Sequence, residues 1–298
     1  MILSIRHITT YKYKRPVAFG EHRMILLPRE NHDQKVLDLN LAITPEPADL
    51  RWTQDVFGNH VAVARFAGRA RVLRFESNVR LEHLPVDIAG VEIESYARTH
   101  PFAYGAPDMP ELAPFIEPQC PAADDALVRW MRTFLSESPT DTVALLVKLT
   151  KTIRATFTHA SRHEKGVQDP LLTLKLRRGS CRDLAVLMIE AVRCLGMAAR
   201  FVSGYLHLPD HDAEDTGGNM HAWLQVYLPG PGWIDFDPSS GIVGNRDLIR
   251  VAMVRLPSQA IPLQGTYTGS ASDYLEMKVA VRVRAADVVE RRRAAVAV

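Results

Sequence analysis

A cysteine that directly follows a Gly-Ser pair is the side chain of this sequence with the best position for nucleophilic chemistry. Cys181 comes after Gly179 and Ser180, and the apolar residues that follow it recur at the spacing of one helix face. The pattern therefore predicts that Cys181 lies at or next to the first turn of a helix. Unpaired backbone N–H groups and the positive end of the helix dipole meet there, and both favour a thiolate over a thiol.

A position at a helix start is not sufficient for catalysis, because a free cysteine there is more often a small buried hydrophobic residue. A nucleophile also needs a base, and the base needs a group that orients it. Two strand-like segments further along the chain carry residues of both kinds, and a Pro-Gly turn at 229–232 separates these segments. We therefore predict that they form an antiparallel hairpin.

The predicted hairpin carries one histidine and two aspartates that suit the two roles. Strand alternation places His221 at the start of the face that we expect to border a polar cleft, while Ala222 begins the core face. On the second strand, Asp235 and Asp237 share one face, so alternation does not separate them. Either carboxylate would accept one ring N–H of His221 and leave the other ring nitrogen facing the thiol.

The other two cysteines are not candidates for catalysis. Cys194 falls on the apolar face of the same predicted helix, where we expect packing, and Cys120 lies in a Pro-rich stretch without an evident partner. Three cysteines without paired spacing argue against a disulfide framework and for a reducing compartment. The N-terminus also lacks the apolar stretch of a signal peptide, so the expected location is the cytoplasm.

Composition narrows the class of protein. The chain has 298 residues, of which 47% are hydrophobic and 23% charged, with a formal net charge of +2. Its basic residues are dispersed, which gives little support to a partner that is a nucleic acid or a membrane surface. No apolar run reaches the roughly 18 residues of a membrane-spanning helix. These values are typical of a soluble globular protein with one large domain or two ordinary ones.

The pattern changes from strands to helices along the chain. Residues 1–96 contain strand-like runs that predict an antiparallel β-sandwich. A Pro-rich connector follows at 97–123. Residues 124–284 then show three helical stripes followed by strands, the last at 274–285, which predicts an α+β core. The remaining tail, 285–298, is expected to fray.

These segments together resemble the transglutaminase-like superfamily, whose members use papain-type Cys-His-Asp chemistry. GSCRDLAVL looks like that family's helix-start nucleophile motif, and HAW and the later DPS look like its histidine and aspartate motifs. SGY at 203–205 resembles the strand after the nucleophile helix, and residues 52–61 resemble the β-sandwich domain of a bacterial subgroup. The resemblance implies an N-terminal antiparallel β-sandwich followed by a transglutaminase-like or papain-like α+β core, with the catalytic cysteine at a helix N-terminus.

The resemblance also implies a role for each site residue by its position. Cys181 is implied to be the nucleophile, His221 the general base and acid, and Asp237 the orienting acid. Asp237 is preferred to Asp235 because the family's acid directly precedes a Pro/Ala-Thr/Ser element, which is Pro238-Ser239 here.

Three further features bear on the site. Asp183 matches a recurrent family residue, and its place near the helix start favours structural hydrogen bonds or an interaction with the dipole. Residues 251–265 lack the family's Gly-Arg-Asp-Tyr-type segment and keep only the later part, Pro262 to Gly265. The acidic loop at 211–219 does not follow the spacing of a calcium loop, so we expect a solvated loop and neither a metal nor a cofactor.

The implied reaction is acyl transfer through a thioester on a peptide or carboxamide. Water as the acceptor gives a cysteine peptidase or amidase, and an amine gives a transglutaminase. Hydrolysis is favoured because no calcium signature is present. The leading alternative is a non-catalytic scaffold of the same fold that binds a peptide or a partner protein. A zinc site of Cys181, His221 and an aspartate is a second alternative, but it lacks the nearby Cys or His pair that such sites use.

Overall fold

The first part of the chain forms one curled antiparallel sheet. The computed structural model describes residues 1–86, 88, 91–120, 125–135, 139–162, 164–207 and 220–285. Five strands from the N-terminal part follow the order β2-β5-β1-β4-β3 in this sheet. They are β1 (Ile2–Met24), β2 (Gln34–Thr44), β3 (Asp49–Gln54), β4 (His60–Arg65) and β5 (Arg69–His83).

The long strand β1 gives this sheet its shape, because it has 23 residues and changes partner along its length. Residues 2–12 and 17–18 pair with β5, and residues 22–24 pair with β4. The register with β5 shifts between Lys12 and Val17, and a bulge of this kind bends a strand and increases its twist. Residues 1–96, predicted to form an antiparallel β-sandwich, thus contribute their strands to a single curled antiparallel sheet. Alternation along the sequence shows which face of a strand is buried, but it does not show where a long strand bends.

The last two described strands return to this first sheet. They are β15 (Leu263–Thr268) and β16 (Tyr274–Ala285), and both pair antiparallel with β1. The strand predicted at 274–285 is confirmed, and it pairs with residues 3–13 at the opposite end of the sequence. The division of the chain into domains at 1–96, 97–123 and 124–284 stays a prediction. The structure adds that β15 and β16 belong to the first sheet. The predicted tail lies outside the described residues except for Ala285.

The second part of the chain packs helices against a five-stranded antiparallel sheet, which confirms the α+β class. The order of its strands is β13-β12-β11-β10-β14. The strands and helices of this part are β6 (Thr99–His100), α1 (Met109–Ile116), α2 (Asp125–Arg132), β7 (Thr140–Asp141), α3 (Thr142–Thr156), β8 (Thr158–His159), α4 (Pro170–Leu176), β9 (Arg178–Gly179), α5 (Cys181–Cys194), β10 (Ala199–Leu206), β11 (His221–Leu228), β12 (Gly232–Asp237), β13 (Ile242–Val243) and β14 (Leu248–Val254).

Helices α2, α3 and α5 correspond to the three helices that the sequence predicts. Asp141 caps α3 by accepting a hydrogen bond from the Ala144 N–H at 2.7 Å. The structure also has α1 inside the stretch predicted to be a Pro-rich linker. Pro110 lies in the first turn of α1, where a helix needs no backbone N–H donor, so this proline is tolerated. None of the described helices is long and apolar enough to cross a membrane.

Helix α5 lies at the centre of this part, and every residue from Asp183 to Arg193 is buried. The sequence predicts one apolar stripe, whereas the structure covers all sides of the helix with β10, β11, α4 and other helices. Gly196 follows the end of α5 with a φ of +78°, the left-handed conformation that commonly ends a helix, as its position predicts.

Gly204, within β10, is expected not to tolerate a side chain. A Cβ atom there would lie 2.0 Å from the Ile249 backbone oxygen and 2.6 Å from Trp223 Cη2. We expect Gly204→Ala to lower the free energy of unfolding by about 1–3 kcal/mol or more, because both neighbours belong to buried strands. Urea unfolding followed by tryptophan fluorescence measures the change. Gly105→Ala is the control, since a Cβ there meets only Pro107 Cδ at 3.6 Å. Equal stability of the two variants would contradict the prediction.

Candidate active site

Cys181 is the first residue of α5, where the sequence predicts it, and it lines a cleft between the two parts of the chain. Ser180 is the N-cap residue of the helix. The backbone N–H groups of the first turn have no partners within the helix, so they and the dipole act on groups placed at this end.

Asp183 fixes the turn that carries Cys181. Its fully buried carboxylate accepts hydrogen bonds from the N–H and hydroxyl of Ser180 and from Arg162 Nε, each at 2.8 Å, and from the Gln168 N–H at 2.7 Å. Burial opposes ionisation, but the hydrogen bonds from Gln168 and Ser180 and the charge of Arg162 hold the pKa of Asp183 below its usual value. A carboxylate engaged in this way anchors the helix start and has a structural place in the site.

His221 is the first residue of β11, and β11 and β12 form the antiparallel hairpin that the sequence predicts. Its side chain is 13% exposed, and Nε2 lies 2.8 Å from Asp237 Oδ2. The side chain also hydrogen-bonds Cys181. Because Nε2 is engaged by the carboxylate, Nδ1 is the ring nitrogen that faces the thiol.

The structure separates the two aspartates of β12. Asp237 is fully buried and bonds His221, and its other oxygen accepts hydrogen bonds from the Ser239 N–H and hydroxyl at 2.9 and 2.8 Å. Asp235 instead accepts the indole N–H of Trp223 at 2.7 Å. The carboxylate beside the imidazole is therefore that of Asp237.

On the β11 face that was predicted to border a polar cleft, Trp223 and Gln225 are buried and Tyr227 is partly buried. Trp223 is fully buried in a cluster with Val202, Leu248 and Met253. The face is covered because β11 is the central strand of its sheet and has packed layers on both sides. The Trp223 ring stacks on that of His221, with centroids 6.1 Å apart and planes 27° apart. Only the end of the strand opens onto the cleft.

A buried network of charged side chains holds the Trp223 indole in place. Asp235 accepts the Trp223 indole N–H and pairs with Arg250, whose Nη1 lies 3.4 Å from Asp235 Oδ2. Arg250 also pairs with Asp33, which follows β1 in the first part of the chain. The ring under His221 is thus held through groups from both parts of the protein.

The electrostatics of the site favour a thiolate beside an imidazolium. Burial opposes ionisation of Cys181, yet hydrogen bonds from the side chains of His159 and His221, the charge of His221 and the Ala222 N–H lower its pKa to about 6. Burial also disfavours protonated His221, but its bonds to Asp237 and Cys181 raise its pKa to about 10. Between these two values, the charged pair is the stable form.

The charge on Asp237 persists through the same range of pH. Burial opposes its ionisation, but the hydrogen bond and charge of His221 and the hydrogen bonds from Ser239 and Ser240 hold its pKa below the usual value. The imidazolium therefore lies between two anions, the thiolate and the carboxylate.

The other two thiols are in different surroundings. Burial raises the pKa of Cys194, at the last position of α5, and the charge of nearby Glu190 adds to the shift. Burial also raises the pKa of Cys120, whose backbone N–H donates to Glu190 Oε2 at 3.0 Å. Both remain neutral at a pH where Cys181 is ionised.

His159 is a site residue that the sequence reasoning missed. Its side chain hydrogen-bonds the Cys181 thiol, and it lines the same cleft. The two-residue strand that carries it, β8, pairs with β9, which directly precedes Ser180. A single histidine in so short a strand carries no periodic signal, and only the pairing of β8 with β9 brings it to the cysteine.

The cleft has a volume of about 2000 Å³ and walls from both parts of the chain. β1 contributes Tyr11 and Tyr13, and β16 contributes Tyr274 and Met277. Much of the segment 251–265, where the family's Gly-Arg-Asp-Tyr-type element is missing, also lines the cleft from Arg255 onward. The departure from the family pattern therefore lies in the wall of the cleft.

The described part of the chain was also considered for a metal site. No group of three or more His, Cys, Asp or Glu side chains among those residues has the geometry of a metal site. The acidic loop at 211–219 lies outside the described residues. In the zinc alternative, Cys181, His221 and Asp237 would have to converge on one ion, but the imidazole lies between the thiol and the carboxylate.

Comparison with known proteins finds similarity along most of the chain. A model of the bacterial transglutaminase-like N-terminal region matches residues 3–82, and one of the transglutaminase-like superfamily matches residues 131–238. An uncharacterized protein of Mycobacterium tuberculosis is 28% identical over 293 residues, covering 93% of this chain and 91% of that protein. An uncharacterized protein of Mycobacterium leprae is 26% identical over 300 residues, covering 94% and 98%.

A solved structure has the same fold. It is the crystal structure of a protein from Cytophaga hutchinsonii described as a "putative cysteine protease". The match has a TM-score of 0.70 and 19% sequence identity, and it covers 96% of this chain and 92% of that one. The shared fold thus includes both the first sheet and the part that carries Cys181.

Proposed function

Since the chain belongs to the transglutaminase-like superfamily and carries that family's bacterial N-terminal region, we propose that it is a cysteine enzyme that transfers acyl groups from peptide or carboxamide substrates through a thioester. One observation carries the proposal: the Cys181 thiol, with a pKa near 6, hydrogen-bonds His221, whose Nε2 is bonded to Asp237. A nucleophile, a base and an orienting acid in this order are what acyl transfer requires.

In the first half of the reaction, the Cys181 thiolate attacks the carbonyl carbon of the substrate amide. A C–S bond forms, and one electron pair of the C=O bond moves onto oxygen. The resulting oxyanion accepts a hydrogen bond from the Cys181 backbone N–H at the helix start. The intermediate collapses to a thioester as the C–N bond breaks. His221 gives its Nδ1 proton to the departing amine, while Asp237 keeps the ring oriented.

In the second half, neutral His221 takes a proton from the acyl acceptor, which attacks the thioester carbon. The C–S bond then breaks and restores the thiolate beside the imidazolium. Water as the acceptor releases a carboxylic acid, and a primary amine gives a new amide. We favour hydrolysis, since water needs no second binding site in the cleft.

We also propose that the substrate is a peptide or a protein segment and that the compartment is the cytoplasm. A cleft of about 2000 Å³ exceeds the roughly 300–1,000 Å³ of usual small-molecule sites, so an extended chain suits it better. The three cysteines are free, as in a reducing compartment.

The alternative of a non-catalytic scaffold gains little from these features. A binding module has no use for a thiol whose pKa is lowered to about 6, because a thiolate brings the risk of oxidation without adding to affinity. A scaffold would also need no carboxylate bonded to Nε2 of the histidine beside that thiol.

Selective alkylation tests the reactive state of Cys181 without a substrate. We expect limiting iodoacetamide, applied between about pH 5 and 9, to modify Cys181 with a midpoint near pH 6, because that is where its thiolate forms. Cys120 and Cys194 should react only at higher pH. Mass spectrometry locates the modified residue, and His221→Ala should move the Cys181 midpoint upward. Equal modification of all three cysteines, unaffected by His221→Ala, would contradict the proposal.

The pH dependence of kcat/KM follows from the same pair. The thiolate is lost as the pH falls through about 6, and the imidazolium is lost as the pH rises through about 10. We therefore expect kcat/KM to be level between these values and to fall on both sides. Hydrolysis of peptidyl anilides over this range measures the profile, and ammonia release from a carboxamide with and without an added amine identifies the acceptor. An acid limb near the ordinary thiol pKa of about 8.5 would show that Cys181 is not activated.

A further inference from the structure

A second imidazole reaches the reactive sulfur, and the reaction described above leaves it without a role. His159 lies in β8, and β8 pairs in parallel with β9 so that His159 is opposite Gly179. Backbone hydrogen bonds of 2.8 Å lie on either side of this pair, from the Thr158 N–H to Arg177 O and from the Ala160 N–H to Gly179 O. Both neighbours of His159 are therefore held by residues 177–179, the segment that leads into Cys181.

The pairing of β8 with β9 places His159 beside the start of the helix that carries Cys181. Only Ser180 separates Gly179 from Cys181, so the β8–β9 pair leads directly into the helix start. The His159 side chain hydrogen-bonds the Cys181 thiol while it remains exposed to the cleft. It therefore borders the space in which a substrate carbonyl must lie when it approaches the sulfur.

The reaction needs a donor that the other groups do not supply. An oxyanion at a tetrahedral carbon is commonly held by more than one donor, and the Cys181 backbone N–H is one. His221 is committed elsewhere, because Nε2 bonds Asp237 and the Nδ1 proton goes to the leaving amine. Within the part of the chain that the structure describes, no carboxylate pairs with His159, so its ring can turn toward the substrate.

We propose that His159 is a catalytic residue whose imidazole N–H donates to Cys181 Sγ in the resting enzyme and to the substrate oxygen as that oxygen becomes an oxyanion. This inference rests on the proposed function. A neutral imidazole carries one N–H and a protonated one carries two, so a donor is present in either state. As the C–S bond forms, the sulfur loses its negative charge and the oxygen gains one. The hydrogen bond thus becomes most favourable in the transition state, which is the condition for acceleration.

Two substitutions at one position test the proposal. His159→Phe keeps a planar ring without an N–H, and His159→Gln restores a donor without an imidazole. We expect His159→Phe to lower kcat by about 10²–10³-fold with a much smaller change in KM, because the oxyanion exists only after attack. His159→Gln should recover about tenfold of that loss. The Cys181 alkylation midpoint should move upward in His159→Phe and less in His159→Gln.

A control variant and two kinds of contrary result complete the test of His159. His32→Phe replaces an exposed histidine outside the cleft and should leave kcat and the alkylation midpoint unchanged. Equal thermal unfolding midpoints for all variants establish that they fold alike. If the wild-type protein cleaves an amide and His159→Phe cleaves it equally well, or if Gln and Phe lose the same rate, the role of His159 is overturned. If the wild-type protein cleaves no amide, the proposed function fails instead, and alkylation alone then decides whether His159 acts on the thiolate.

Discussion

Cys181→Ser lowers kcat/KM by at least about 10³-fold for any amide that the wild-type protein cleaves, according to the proposed mechanism. The helix start and His221 bring the thiol pKa to about 6, but the same surroundings leave a hydroxyl protonated at every working pH. Serine is close to cysteine in size and also suits the first turn of a helix, so the fold should be retained. Initial rates at excess substrate, with the wild-type active sites counted by a thiol-directed inhibitor, measure the loss.

Cys194→Ser is the matched control, because it makes the same chemical change at the other end of the same helix. Cys194 packs against the core, and its pKa is raised. We expect its rate to stay within about twofold of the wild-type rate, with a loss of stability of about 1 kcal/mol. Comparable activity in the two serine variants would remove Cys181 from the reaction.

Asp237→Asn is expected to have the second largest effect, a loss of about 10²–10⁴-fold in kcat/KM. The amide keeps the shape of the carboxylate but not the charge that helps to raise the pKa of His221 to about 10. His221 is then protonated less readily, so the Cys181 thiolate loses its counter-charge. The acid limb of the kcat/KM profile and the alkylation midpoint should both move to higher pH, and titration of the two rates measures this shift.

Asp235→Asn is the comparison for that variant, because it makes the same change two residues earlier on the same strand face. Asp235 bonds Trp223 and Arg250 rather than His221. We expect a loss of roughly 3 kcal/mol in unfolding free energy, since buried Arg250 loses one of its two carboxylate partners. The alkylation midpoint of Cys181 should stay near pH 6. The opposite result, a shifted midpoint in Asp235→Asn alone, would assign the orienting role to the other aspartate.

The placement of the three candidate site residues could be predicted because their signals are local. Cys181 stands at a Gly-Ser helix start, and the turn at 229–232 joins the strands that carry His221 and Asp237. Alternation left the two aspartates of β12 unresolved. The choice depends on which side chain reaches the start of β11, and that is a matter of three-dimensional geometry.

The features that the sequence did not predict depend on contacts between distant segments. His159 reaches Cys181 only through the pairing of β8 with β9, and Trp223 is buried because both sides of its sheet are covered. The curl of the first sheet depends on where β1 bends. Hydrophobic periodicity shows that a strand exists and which face is buried, but neither its partner nor its curvature.

The pairing of β16 with β1 has a consequence for the order of folding during synthesis. Residues 3–13 are synthesised roughly 270 residues before their partners at 274–285, an interval of about 15–50 s at ordinary elongation rates. Until then, one edge of β1 has no strand beside it and is open to wrong pairings with other chains. Tyr274 and Met277 of β16 also line the cleft, so this part of its wall forms only when β16 docks. Cys181, His221 and Asp237 all precede β16 in the chain, so these three side chains can come together before the wall of the cleft is complete.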